Sequence, residues 1–281
     1  MKEYLAPFLV IPLVIGSVNN IDPDLKPKRK VDSIERTMIN PVISLPINKR
    51  NKLNLEKRTL TINNKQSEHS YKKVLEDITQ KREKFNIDYE ESTPKERKEV
   101  IRKSRDYLIN TLTKKVFPYW YGTPWSFNGH TEQPKNGSIA CGFFVGTILR
   151  DIGFNIDRIR LGIQPSEYII KNLTDENNIE RFSNKSVENV VNKIKVRGKG
   201  IYIVGLDFHT GFIFYDGKTK PKFVHSSYYE PFSVVSENID SDNPLRDSRY
   251  RVIGKIFNET MLKKWIKGEK FQIYHDYFKK K

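Results

Sequence analysis

Apolar residues follow three patterns along this chain, and each predicts a different kind of segment. The first is a near-continuous run, Leu5-Ala6-Pro7-Phe8-Leu9-Val10-Ile11-Pro12-Leu13-Val14-Ile15-Gly16, preceded by Lys2. It is too short to cross a bilayer comfortably and has the size of a signal-peptide apolar region, so residues 1–18 are expected to direct export. A buried strand or an apolar N-terminal arm is the alternative. From 19 to 92 the pattern vanishes into Lys, Asn, Asp, Glu and scattered Pro, which reads as a polar basic linker or arm. Within it Val74, Leu75 and Ile78 recur at helical spacing and predict a helix over 71–84.

The helical period then takes over. A compact domain is expected over 93–281, opening at Ser92-Thr93-Pro94, where a hydroxyl cap precedes proline at the first helical position. Val100, Ile101, Leu108 and Leu112 share one face of a helix that should end before Pro118. After the aromatic, turn-rich Tyr119-Trp120-Tyr121-Gly122-Thr123-Pro124-Trp125, a second helix is expected from Cys141. Phe144, Val145, Ile148, Leu149 and Ile152 form its stripe, and Gly153 stands at the C-terminal cap position. Shorter helices are expected near Ser166–Leu173 and 186–196. Beyond 200 the period falls to two over 201–206, Thr210–Tyr215, Lys222–Ser226 and 250–257, with Asp216-Gly217 as a tight turn. Helices first and antiparallel strands after predict an α+β fold and not a parallel doubly wound sheet.

Composition adds partners and exclusions. With 16 Phe, 14 Tyr and 3 Trp the chain carries the bulky apolar side chains that disordered chains lack. The net charge of +16 attracts anionic polymers: nucleic acid, acidic lipid headgroups or cell-wall material. Nucleic acid is disfavoured, because there is no zinc-finger spacing, RNP-like aromatic strand or Gly-rich phosphate loop. The run Lys26-Pro27-Lys28-Arg29-Lys30 is either a solvated tail or a tether to an anionic surface. No integral membrane segment is expected beyond the signal. The single cysteine forbids an intrachain disulfide, leaving Cys141 as a free thiol, a buried small residue or a nucleophile.

Cys141 sits where loop gives way to helix. Unpaired N–H groups at a helix start favour a thiolate, and the small neighbours Ala140 and Gly142 leave the sulfur accessible. The Cys141 N–H could also donate into an oxyanion hole. Of five histidines, His209 and His225 lie in the strand region on either side of the Asp216-Gly217 turn. A hairpin there would set the two imidazoles side by side, one to take the thiol proton and the other to hold its ring. A zinc site from His209, His225 and Asp207 is the weaker reading, since no His-Glu-x-x-His helix or paired-Cys spacing exists. No metal and no cofactor are expected. A Ser nucleophile elbow is absent.

These pieces resemble the NlpC/P60 superfamily of papain-like cysteine peptidases, which cut bacterial cell-wall peptides. The matching stretches are Tyr121-Gly122-Thr123-Pro124, Ala140-Cys141-Gly142-Phe143-Phe144-Val145, His209-Thr210-Gly211-Phe212-Ile213 and Val224-His225-Ser226-Ser227. The likeness covers roughly 119–257; the family's usual Asp-Cys-Ser-Gly-Phe is replaced, and the stretch from Tyr121 to Cys141 is longer than usual. The resemblance implies a Cys-bearing helix packed on an antiparallel sheet, with Cys141 as nucleophile, His209 as base and later acid, and His225 as its orienter. Tyr121 would help form the oxyanion hole, a place that Trp120, Trp125 or His130 could also fill. It further implies an exported hydrolase acting on peptidoglycan or another peptide. Competing expectations are a non-catalytic basic polyanion- or wall-binding protein on a papain-like shell, and an acyltransferase or deamidase using the same triad.

Overall fold

The computed structural model describes residues 47–274; the expected signal segment and the basic run at 26–30 lie outside them. Residues Lys57–Lys281 form one compact unit, and of the other, Met1–Glu56, only the helical residues 47–56 are described. The first helix, α1 (Ile47–Glu91), is far longer than the one expected over 71–84. Tyr71, Ile78 and Phe85, seven residues apart, are buried in the main core together with Tyr89. The packed body therefore begins well before Ser92, a correction to the expected boundary. Only one residue in every two turns is fully buried, so the surrounding Lys and Glu hide the stripe from a reading by composition.

α2 (Pro94–Thr111) starts as expected, with Thr93 and Glu96 forming a reciprocal capping box. It does not stop before Pro118. A wide π turn over Leu112–Val116 lets the helix continue as α3 (Phe117–Trp120), and Pro118 falls in that helix's first turn. The wider turn just before it is where the ladder already departs from the regular α spacing that a proline would break. α4 (Cys141–Asp151) ends where Gly153 adopts φ +92, the conformation glycine takes without a Cβ clash. α5 (Arg158–Gly162), α6 (Ser166–Leu173), β1 (Ile179–Ser183) and α7 (Val187–Arg197) follow.

The remaining strands are β2 (Gly200–Leu206), β3 (Thr210–Tyr215), β4 (Lys222–Ser226), β5 (Val234–Asn238) and β6 (Tyr250–Lys255), with the short α8 (Pro244–Asp247) before β6 and α9 (Glu259–Lys267) after it. They form one antiparallel sheet in the order β1-β6-β2-β3-β4-β5. Alternation sorts its side chains between two cores. Ile201, Ile203, Phe212, Val224 and Val252 join the larger core with α1, α2, α4, α6 and α9. Tyr202, Val204, Ile213, Phe223 and Ile253 face the smaller one with α7. With apolar material on both faces, β2 is buried along its whole length. The fold is α+β, a mixed helical and antiparallel arrangement. β1 and β5 were not anticipated, because they are short edge strands with polar outward positions.

Candidate active site

α4 lies on β3 and β4, so the start of this helix comes to the end of the sheet where β3 begins. Asp157, Asn243 and Asn258 cap the starts of α5, α8 and α9 with their side chains. Ala140, at the start of α4, offers none, so the first-turn N–H groups of the Cys141 helix have no cap from the residue before it. Gly142 has its own structural reason. A Cβ there would lie 2.1 Å from the Gly162 carbonyl oxygen, so only glycine lets α5 cross so close to the cysteine.

Cys141 is partly exposed as a residue. Burial pushes its thiol above the ordinary value, and the N–H groups of Thr210, Gly142 and Cys141 itself pull the other way. Thr210 directly follows His209. The sulfur thus lies against the backbone at the start of β3.

His209 precedes β3 and His225 lies within β4. The β3–β4 register pairs Phe212 with Val224 and Ile213 with Phe223, and continuing it sets Gly211 opposite His225. Here glycine is required for contact: a Cβ would come within 2.7 Å of the His225 Cβ and 2.8 Å of the Phe223 ring. The bare position lets the His225 ring lie across the strand toward His209. His209 Nε2 and His225 Nδ1 are 2.8 Å apart, with the rings nearly perpendicular at 84°. His225 stacks on Phe223, centroids 3.9 Å apart, and its Nε2 is 2.9 Å from Glu237 Oε1 on β5. Both histidines are buried. His209 Nδ1, also buried, bonds to no group among the described residues.

Gly211→Ala is therefore expected to separate the two histidines. Its Cβ meets packed side chains with no room to yield, so a loss of roughly 1–3 kcal/mol is expected. Urea denaturation checks the stability, and loss of the His209–His225 contact checks the cause. An unchanged midpoint with an intact contact would contradict it.

Burial depresses both imidazoles, His209 well below the ordinary value and His225 to about 3, and the charge of His225 adds to the effect on His209. Both are neutral near pH 7, so the His225–Glu237 contact joins an imidazole N–H to a carboxylate and is not an ion pair. The consequence for stability has a definite sign. Below about pH 6.5 the unfolded chain binds protons that the folded chain refuses, so stability is full above that value and falls with the pH, by about 1.4 kcal/mol per unit for each histidine. For His225 the loss continues down to about pH 3. Urea midpoints across this window check it, and a flat profile would contradict it.

The structure gathers Cys141, His209 and His225 at this end of the sheet, and engages the Tyr121 hydroxyl with β5. The Tyr121 hydroxyl is hydrogen-bonded to Ser236 on β5 and raised by burial. The tyrosine beside the site is Tyr228, its ring 5.1 Å from His209 and 5.9 Å from Trp125. Burial raises the Tyr228 hydroxyl, and negative charge at Cys141 raises it further. Trp120 is buried core, its Nε1–H donating to the Tyr71 hydroxyl, and the His130 ring packs on Phe143. Sequence reasoning missed Tyr228, though it follows the His225-Ser226-Ser227 stretch directly. Glu237 was missed because β5 was.

Asp207 is engaged elsewhere, its carboxylate accepting the N–H groups of Arg249 and Tyr250. Among the described residues no group of three or more His, Cys, Asp or Glu is placed to hold a metal ion, and no helix is long and apolar enough to cross a membrane. Exposed apolar side chains lie near the site in sequence: Phe208 beside His209, Phe127 beyond Trp125, and Phe232, whose carbonyl accepts the Trp125 N–H. No family model, curated protein or solved structure matches the chain.

Proposed function

We propose that this chain is a thiol-dependent amide hydrolase with a papain-like arrangement of the NlpC/P60 type, exported and acting on cell-wall peptide. The observation that carries the reading is the buried, unpartnered Nδ1 of His209, in a ring held by His225 and next in sequence to the Thr210 N–H that faces the Cys141 sulfur. Burial of a nitrogen without a partner carries a cost that a structural histidine would not leave standing, whereas a base needs its lone pair free. The choice of peptidoglycan rests on the sequence resemblance, supported by a net charge that favours anionic wall material.

With the thiol raised and the imidazole lowered, the resting pair is neutral. His209 Nδ1 takes the Sγ proton as sulfur bonds to the amide carbon, and the carbonyl electron pair moves to oxygen, facing the uncapped N–H groups of α4. When the C–N bond breaks, the same proton passes to the leaving amine and a thioester remains. Water then adds, giving its proton to His209 Nδ1. As the C–S bond breaks, that proton returns to sulfur and the carboxylic acid leaves.

Incubation with defined peptidoglycan fragments tests the proposal, with new amines and water uptake read by mass spectrometry. One water incorporated per new amine is expected. Transfer of the acyl group to an added amine without water would move the protein to the acyltransferases. No cleavage, with salt-sensitive retention on anionic wall polymer instead, would overturn the enzymatic reading in favour of a binding protein.

A further inference from the structure

We infer that Glu237 is the positioning residue that fixes the proton arrangement of both histidines, so that His209 Nδ1 carries the relay's one free lone pair. Donors and acceptors alone fix the proton positions. An ionised carboxylate can only accept, so the 2.9 Å contact to Glu237 Oε1 requires the proton of neutral His225 to sit on Nε2. His225 Nδ1 is then an acceptor, and the 2.8 Å contact requires His209 to place its own proton on Nε2. The lone pair left over is at His209 Nδ1, the nitrogen with no partner. Without the carboxylate, the chain of two rings runs equally well in the opposite sense, which would protonate Nδ1 and leave it unable to accept from a thiol.

The surroundings hold this arrangement in place. Phe223, stacked on His225, lies across from Glu237 in the β4–β5 register, which fixes the ring between strand and carboxylate. Asp242 presents a negative charge to Glu237 and the Asn243 side chain hydrogen-bonds to it. Burial and the Asp242 charge raise the Glu237 carboxyl above its ordinary range, and the Asn243 bond opposes them. A protonated Glu237 becomes a donor toward His225 Nε2, and the relay inverts. Activity should therefore be lost on the acid side at a pH above the ordinary carboxylate range, and this limb belongs to Glu237, because burial depresses both histidines.

The value of this arrangement for catalysis rests on the hydrolase reading above, but the arrangement itself does not, and the experiment separates the two. Nitrogen-15 spectra of histidine-labelled protein at neutral pH, for the wild type, Glu237→Gln and Glu237→Leu, report which ring nitrogens carry protons. In the wild type His209 should show a proton on Nε2 and a bare Nδ1. Glu237→Gln should keep this pattern, because the amide oxygen still accepts. Glu237→Leu should mix or reverse it. On peptidoglycan fragments Glu237→Leu should lower kcat by tenfold or more with little change in KM, within the ~10⁴-fold seen when a histidine base is held in the wrong tautomer. Glu237→Gln should fall less and should lose the acid limb. A protonated His209 Nδ1 in the wild type, or a Glu237→Leu spectrum identical to the wild type, would overturn the inference. If no fragment is cleaved, the hydrolase reading fails while the spectra still decide the role of Glu237.

Discussion

A chain beginning at Ser92 is expected to fail to fold, whereas one beginning at Lys57 folds cooperatively. The shorter chain discards Tyr71, Ile78, Phe85 and Tyr89, all buried in the main core. At roughly 1.5–3 kcal/mol for each large buried side chain, their loss removes on the order of 6–12 kcal/mol. That is comparable with the ~5–15 kcal/mol by which a domain is stable at all. Polar groups add to the damage. The Tyr71 hydroxyl donates to Asp151 Oδ2 at 2.6 Å and accepts from Trp120 Nε1 at 2.8 Å, and its removal takes the partner from one carboxylate oxygen, the other still bonded to Arg150, and from an indole N–H. Burial already raises the Asp151 carboxyl despite the Arg150 guanidinium beside it. Each buried polar group left without a partner costs about 1–3 kcal/mol. Near-ultraviolet circular dichroism and urea denaturation of the two chains check this. A shared midpoint would show that α1 is dispensable.

Cys141→Ala is expected to reduce amine release by about 10⁴-fold or more while leaving the fold intact, as loss of a nucleophile does in enzymes whose residues act as a unit. The residue starts a helix and is partly exposed as a whole, and the truncation removes a single sulfur atom, so the change in stability should stay within about 1 kcal/mol. His209→Gln should cost nearly as much, and the double variant should be no worse than the worse single one. Steady-state release of amines, with denaturation curves measured in parallel, reads both effects. Turnover that survives in Cys141→Ala at the wild-type rate would refute the assignment of the nucleophile.

The sequence disclosed those parts of the fold whose signal is local. The Cys141 helix, with its apolar stripe and terminal glycine, and strands β3 and β4 stand where the periodicity predicts them. What it concealed depends on partners distant in the chain. The stripe of α1 is too narrow to stand out among lysines and glutamates. Pro118 normally ends a helix, and only the π turn before it allows continuation. α9 buries Met261, Leu262, Trp265 and Ile266 just beyond a run that read as a longer strand. The site divides in the same way. Pairing of His209 with His225 followed from a hairpin across a recognisable turn, and the structure shows that contact. Glu237 depends on an edge strand with no strong pattern, and Tyr121 was chosen by its place in a motif, which says nothing of the bond its hydroxyl makes to Ser236.

In the proposed mechanism the Cys141 sulfur carries the acyl group during turnover. Rapid acid quenching of the wild type mixed with a cleavable cell-wall peptide, followed by intact-mass and peptide mapping, tests it most directly. The expected result is an acyl adduct on the peptide that contains Cys141, released by hydroxylamine and absent from Cys141→Ala. Turnover under the same conditions with the adduct on another residue, or with adduct formation unchanged in Cys141→Ala, would contradict it.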